Sequence, residues 1–238
     1  MPNATREVTN APDHDSTREG HTMRRTTKTV VTMTALTAGL FALPVGIASA
    51  QEIPQVQQAA ADLDGDGTAD LVTLTPLGDG SVQSLRFTVN GVENSVEMPA
   101  DAYRGVLPLR VTDINGDGSQ EVVVTESMGA NTATFSVWDR AADGAPRGLT
   151  TEDGQPLKLN EGGGAASRVG YECAASATGR DLITLAASNV GTGTDLVYDG
   201  SRVRYQVQDG VATPVDDYTI TGALAGDPVL DVDTAACA

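Results

Sequence analysis

Two short stretches of the chain place acidic or amide side chains at every second position of a glycine-rich turn. Residues 62–70 read DLDGDGTAD, and residues 113–121 read DINGDGSQE. Carboxylates this close together repel one another unless a cation neutralises them. All the side-chain donors on offer are hard oxygen atoms, which suit Ca²⁺ better than a metal that prefers sulfur or imidazole. We call residues 62–70 loop 1 and residues 113–121 loop 2.

The candidate ligands occupy the same relative positions in both loops. Positions 1, 3, 5 and 9 are Asp62, Asp64, Asp66 and Asp70 in loop 1, and Asp113, Asn115, Asp117 and Glu121 in loop 2. At position 7, the backbone carbonyls of Thr68 and Ser119 are expected to complete the two ligand sets. Because loop 1 offers four carboxylates and loop 2 offers three and an amide, we expect loop 1 to bind the ion more tightly.

The alternative is that both loops are ordinary Asp-Gly turns on a very acidic surface. The chain has 32 Asp and Glu against 15 Lys and Arg, with a formal net charge of −17. A single loop of this kind would leave the two interpretations about equal. Two copies, each with an acid at position 9, favour the metal site.

A strand pattern rich in β-branched residues follows each loop directly. An EF-hand loop would need an acid at position 12 and then a helix, but position 12 is Thr73 in loop 1 and Val124 in loop 2. The two loops resemble instead the FG-GAP/VCBS repeat, whose D-x-[DN]-G-D-G-x-x-[DE] loop lies between strands of a β-propeller blade, as in integrin α-subunits. This resemblance implies a secreted protein of the bacterial type with calcium at the eight acidic and amide positions.

The rest of the chain predicts an all-β fold that is β-propeller-like. Short alternating or apolar runs are separated by Gly, Asn and Asp turns. Alignment on Asp62, Asp113 and Cys173 divides the chain into three units of about 50 to 60 residues, each a loop followed by about four strands. The units predict three four-stranded blades, with residues 173–181 a degenerate third loop. A short closed ring that uses residues 51–60, an open propeller and assembly between chains all stay possible.

Three dipeptides lie between strand-like runs at positions where tight hairpin turns need a positive φ. They are Asn90-Gly91, Asp199-Gly200 and Asp209-Gly210. Each predicts a two-residue β-hairpin turn.

The N-terminal part has the layout of a secretory signal peptide. Residues 1–22 form a polar leader that a misplaced start would explain, and residues 23–50 contain a basic start, an apolar middle and the small residues Ala48, Ser49 and Ala50. Export with cleavage before Gln51 would leave residues 51–238 as one secreted repeat domain. In such a compartment, Cys173 and Cys237 are expected to form a disulfide.

Composition excludes several functions. The negative charge disfavours nucleic acid and anionic membranes as partners, and we expect no membrane insertion after cleavage. Both histidines precede residue 51 and Lys158 is the single lysine after it, so histidine-based catalysis is absent from the predicted mature chain. We therefore expect a non-enzyme: a secreted calcium-binding module for extracellular binding or adhesion, with the cell wall included, and a protein or glycan as partner. The alternative is an extracellular glycosidase or lyase that uses a carboxylate pair.

Overall fold

Strands make up most of this computed structural model, which describes residues 56–101 and 104–238. The predicted polar leader and signal peptide lie outside the described residues. Two 3₁₀ turns, Pro228–Leu230 and Thr234–Cys237, are the helical elements of the described part, which confirms the all-β prediction. Among these residues, no helix has the length and apolar character that crossing a membrane requires.

The first sheet is a four-stranded antiparallel meander. It contains β1 (Gln57–Ala61), β2 (Asp70–Leu77), β3 (Val82–Val89) and β4 (Val92–Pro99), in that order. Along β3, Leu85, Phe87 and Val89 are buried while the residues between them are not, so one face of the sheet covers a core. Loop 1 joins β1 to β2: it follows Ala61, the last residue of β1, and ends at Asp70, which pairs with Ala61.

The second sheet has ten strands and two four-stranded antiparallel groups. Its strands are β5 (Arg110–Thr112), β6 (Glu121–Met128), β7 (Thr132–Arg140), β8 (Pro146–Gly148), β9 (Thr150–Thr151), β10 (Lys158–Gly162), β11 (Ser167–Ser176), β12 (Gly179–Asn189), β13 (Val197–Gln208) and β14 (Val211–Leu224). One group is β5-β6-β7-β10, and the other is β11-β12-β13-β14. One residue pair, Gly162 with Val169, joins β10 to β11. Residues 56–101 and 104–238 therefore contain three four-stranded groups, in a propeller-like arrangement that is not closed.

Strand β6 connects the cores of the first two groups. Val122 and Val124 pack into the core of the first sheet, whereas Val123 packs into the core of the second group with Ile114 and Phe135. Successive side chains of a strand point to opposite faces, so an uninterrupted valine run fits a strand that is buried on both sides. Loop 2 joins β5 to β6: it follows Thr112, the last residue of β5, and ends at Glu121, which pairs with Thr112.

Two of the three predicted hairpin turns are confirmed and one is wrong. Asn90 and Asp209 have φ values of 51° and are followed by glycines, as the tight turns require. Asp199-Gly200 instead lies inside β13, where the pairing with β14 is irregular between Tyr198 and Gly200. A Cβ atom at Gly200 would collide with the backbone of Ala186 on β12, so this glycine permits close strand approach and does not form a turn.

The C-terminal segment is attached to the third group by a disulfide between Cys173 and Cys237. Both cysteines are buried, and Cys173 belongs to the same apolar cluster as Tyr171 and Leu182. The carbonyl oxygen of Cys237 also accepts a hydrogen bond from the Thr112 hydroxyl on β5. The disulfide therefore connects β11 to the end of the chain, which in turn contacts the strand before loop 2.

Replacement of both Cys173 and Cys237 by alanine should lower the free energy of unfolding by about 4 kcal/mol, because the bridge closes a 64-residue separation in the unfolded chain. Urea unfolding of the variant and of the oxidised protein measures the difference. A difference below about 1 kcal/mol would contradict this expectation.

Candidate metal centre

Loop 1 folds around the carboxylate of its first residue, Asp62. Its Oδ1 accepts hydrogen bonds from the backbone N–H groups of Gly65 at 2.8 Å and Asp66 at 3.2 Å, and its Oδ2 accepts one from Gly67 at 2.8 Å. Gly65 and Gly67 have φ values of 73° and 82°, a region that other residues adopt only at a cost in free energy. The alternating glycines therefore allow the backbone to reverse around one side chain.

Three acids of loop 1 converge inside this turn. Asp62, Asp64 and Asp70 each place a carboxylate oxygen within 4.8 Å of the other two. Asp70 is the first residue of β2, and its Oδ2 accepts a hydrogen bond from the backbone N–H of Leu63 at 3.1 Å. Because Leu63 is buried in the first core, the position-9 acid is attached to a fixed part of the fold.

Asp66 and Thr68 lie on the exposed side of loop 1. The Oδ1 of Asp66 accepts a hydrogen bond from the backbone N–H of Thr68 at 2.7 Å, and both residues are exposed. The structure thus brings three of the four predicted carboxylates of loop 1 into one group and places Asp66 at its rim.

Asp64 carries the least satisfied oxygen of the site. Its Oδ1 is buried and has no hydrogen-bond partner, while its Oδ2 accepts a long hydrogen bond of 3.4 Å from the Asn90 side chain. A buried carboxylate oxygen without a partner costs free energy, since it loses its contacts with water and gains none. The residues of loop 1 fit a bound cation, because an ion at the centre of the group would satisfy this atom and neutralise its neighbours.

Loop 2 repeats two of the three hydrogen bonds to its first acid. The Oδ1 of Asp113 accepts from the N–H of Gly116 at 2.7 Å, and its Oδ2 accepts from Gly118 at 3.3 Å. These glycines have φ values of 72° and 93°. The first acid of loop 2 therefore organises the backbone as the first acid of loop 1 does.

Positions 5 and 9 of loop 2 also match those of loop 1. The Oδ1 of Asp117 accepts from the N–H of Ser119 at 2.8 Å, and the Oε2 of Glu121 accepts from the N–H of Ile114 at 2.7 Å. Ile114 is fully buried, as Leu63 nearly is in loop 1. The position-9 acid is thus attached to a core residue in both repeats.

The two loops differ at position 3. The amide nitrogen of Asn115 donates a hydrogen bond to Oδ2 of Asp117 at 2.9 Å, whereas Asp64 has no donor to offer. Among the described residues, the close group of three acidic side chains occurs in loop 1 and not in loop 2. The acceptor oxygens of loop 2 are therefore partly satisfied by a hydrogen bond from its own Asn115 side chain.

The position-9 acids have raised pKa values. Burial is the largest cause for Asp70, whose pKa is also raised by repulsion from Asp64, Asp66 and Asp62. Burial raises the pKa of Glu121 to about 8, and nearby acids such as Asp117 and Asp113 add to the shift. Both shifts show that the loops disfavour negative charge when only protein atoms surround it.

Residues 173–181 are arranged differently from loops 1 and 2. They form the tip of the β11–β12 hairpin, whose pairing continues to Ser176 and Gly179. At position 9, the carboxylate of Asp181 pairs with the Arg204 guanidinium at 2.7 Å. The Arg204 side chain therefore neutralises the position-9 acid of the third unit. The position-1 residue of this unit is the disulfide-bonded Cys173.

Two residues near the loops contact them without a sequence pattern that predicts it. The sequence predicts Asn90 only as a turn residue, yet its side chain contacts Asp64. Gln120, at position 8 of loop 2, hydrogen-bonds to the backbone of Asp62 in loop 1. Neither contact has a local sequence signal, because each depends on how two separate segments pack.

Comparison with protein families identifies the segment that contains both loops. Residues 62–124 match the family model for the FG-GAP-like repeat. This segment is therefore similar to an FG-GAP-like repeat. The matched segment begins at Asp62, includes β2, β3, β4 and β5, and ends at Val124 in β6, three residues beyond loop 2. The resemblance stated from the two loops is thereby confirmed for this part of the chain. No curated protein matches the chain.

The raised pKa of Glu121 predicts how pH affects the metal-free protein. Because the folded pKa of about 8 lies above the ordinary value of 4.5, the folded state binds this proton more tightly than the unfolded state does. The resulting stability is complete below pH 4.5 and is lost as the pH rises through 8. Glu121→Gln should remove this dependence, since glutamine cannot ionise.

Urea unfolding in chelator at pH values across this window tests the expectation. The exposed Glu152, changed to glutamine, is the matched control and should leave the pH dependence as it is. Parallel pH profiles for the wild type and Glu121→Gln would show that burial of this acid is not what destabilises the metal-free state.

Proposed function

We propose that the protein is a calcium-binding β-repeat module in which the ion has a structural role. The observation that carries the proposal is the group of Asp62, Asp64 and Asp70 oxygens within 4.8 Å, with a buried Asp64 oxygen that lacks a partner. Calcium accepts six to eight oxygen ligands at roughly 2.3–2.6 Å in flexible geometry, whereas Mg²⁺ demands a near-ideal octahedron and retains water. An irregular loop of carboxylates and carbonyls suits calcium better.

The residues that would hold the ions are those at positions 1, 3, 5, 7 and 9 of each loop. They are Asp62, Asp64, Asp66, Thr68 and Asp70 in loop 1, and Asp113, Asn115, Asp117, Ser119 and Glu121 in loop 2. Thr68 and Ser119 would contribute backbone carbonyls, and the other residues would contribute side-chain oxygens. When bound, the ion would supply positive charge that cancels repulsion among these groups.

The position of the loops in the sheets supports a structural role. Loop 1 closes the β1–β2 pair, and loop 2 closes the β5–β6 pair. β5 has only three residues, so little other pairing holds it against β6. Binding energy gained in a loop is therefore available to stabilise the strand pair on either side of it.

We further propose that the module acts outside the cell, in binding or adhesion to an extracellular protein or glycan. The disulfide between Cys173 and Cys237 supports this, since such bonds persist in oxidising compartments. The predicted signal peptide and the net charge of −17 agree with it. A pull-down from cell-wall fractions, with calcium and with chelator, tests for a partner that needs the ion-bound fold.

Calcium should raise the melting temperature of the protein relative to the same protein in EDTA. At free calcium 100-fold above the dissociation constant, one site adds about 2.7 kcal/mol. For a domain of this size that corresponds to roughly 5–10 °C. Thermal unfolding followed by circular dichroism measures the shift.

Asp64→Ala and Asp79→Ala form a matched pair for this experiment. Both aspartates lie in glycine-rich turns next to β2, but Asp79 is exposed and hydrogen-bonds to Ser81 outside the loops. Asp64→Ala should lose much of the rise in melting temperature that calcium causes. In EDTA it should be no less stable than the wild type, because the substitution also removes repulsion among the loop 1 carboxylates. Asp79→Ala should keep the shift. An equal shift in both variants would contradict the assignment of loop 1 as a site.

Loop 1 should bind calcium more tightly than loop 2, since it offers more negative charge. Isothermal titration calorimetry of two single-loop variants compares the sites: Asp117→Ala reports loop 1, and Asp64→Ala reports loop 2. Tighter binding by Asp64→Ala than by Asp117→Ala would reverse the expected order.

A further inference from the structure

Loops 1 and 2 contact each other directly through Gln120. The backbone N–H of Gln120 donates to the carbonyl oxygen of Asp62 at 2.6 Å. In return, the backbone N–H of Asp62 donates to the side-chain Oε1 of Gln120 at 2.8 Å. Position 8 of loop 2 is thus joined by two hydrogen bonds to position 1 of loop 1.

The tips of the loops are also in close contact. A Cβ atom added to Gly65 would lie 3.1 Å from the Ser119 hydroxyl, so loop 1 packs against position 7 of loop 2. Gln120 lies between Ser119 and Glu121, which are both proposed calcium ligands. A change in the backbone of loop 2 at these residues therefore reaches Asp62, the residue around which loop 1 folds.

A related contact recurs one unit further along the chain. Arg180 occupies position 8 of residues 173–181, and its Nη1 donates to the carbonyl oxygen of Asp113, position 1 of loop 2, at 2.9 Å. Its backbone N–H donates to the carbonyl oxygen of Asn115 at 2.7 Å. The close approach requires a glycine at residue 179, where a Cβ atom would lie 2.5 Å from the Asn115 oxygen. In both cases a position-8 residue holds the backbone of the preceding loop.

We propose that loops 1 and 2 bind calcium cooperatively, with the paired hydrogen bonds between Asp62 and Gln120 as the connection. This inference rests on the proposed function, because it concerns the same two sites. An ion in loop 2 orders the backbone on both sides of Gln120, and that order presents Gln120 to Asp62 in the position that loop 1 needs. Ordering loop 1 on binding its own ion then costs less conformational entropy.

Linkage requires that the effect be reciprocal. If an ion in loop 2 raises the affinity of loop 1 by some factor, an ion in loop 1 raises the affinity of loop 2 by the same factor. The single-loop variants then give the affinity of each site alone, and the wild type gives the affinity of the two sites together.

Calcium titration calorimetry on the full chain tests the proposal. The overall association constant for two ions in the wild type should exceed the product of the constants of Asp117→Ala and Asp64→Ala by roughly 5-fold to 150-fold. Gln120→Ala removes the side-chain half of the connection and should lower this excess several-fold while both sites still bind. Gln58→Ala, an exposed change of the same kind on β1, should leave it intact.

The possible failures are distinguishable. An overall constant equal to the product within twofold would overturn cooperativity and leave the proposed function standing. An excess that survives in Gln120→Ala at the wild-type value would overturn the role of Gln120. The absence of calcium binding in the wild type would overturn the proposed function itself, and the inference with it.

Discussion

The backbone of loops 1 and 2 holds carboxylates close together, and the repulsion among them acts at the strand pairs that the loops join. In loop 1, backbone N–H groups surround Asp62, and the buried Leu63 holds Asp70, so the acids cannot move apart without opening the turn. The same backbone bonds hold the acids of loop 2. A proton or a cation among these oxygens would relieve the repulsion. The raised pKa values of Asp70 and Glu121 mean that, without an ion, the protonated forms of these two acids are favoured more than in free side chains.

The third unit shows what the fold does without such a loop. Its hairpin turns directly at Ser176 and Gly179, its position-9 acid pairs with Arg204, and Cys173 is attached to the C-terminal segment. The third unit therefore has an ion pair at position 9 and a disulfide at position 1, where the first two units have the acids of loops 1 and 2. Because Arg180 of this hairpin contacts the backbone of loop 2, the third unit also supports the second.

Much of the site could be predicted from the sequence, because its geometry is local. Asp62 and the glycines that bond to it lie within five residues, and the position-9 acids begin the strands that follow. The all-β class could be predicted for the same reason. The contact between Gln120 and Asp62 spans 58 residues and has no local signal. The turn predicted at Asp199-Gly200 is wrong because a glycine that permits close strand approach looks the same in sequence as one that forms a turn.

A crystal structure of the full chain grown with saturating calcium tests calcium binding by the two loops most directly. We expect electron density for an ion in each loop, with carboxylate oxygens of Asp62, Asp64 and Asp70 at roughly 2.3–2.6 Å from the ion in loop 1. The buried Oδ1 of Asp64 should be among these ligands. Density for water alone in loop 1 at saturating calcium, with the same three carboxylates in place, would contradict calcium binding by this loop.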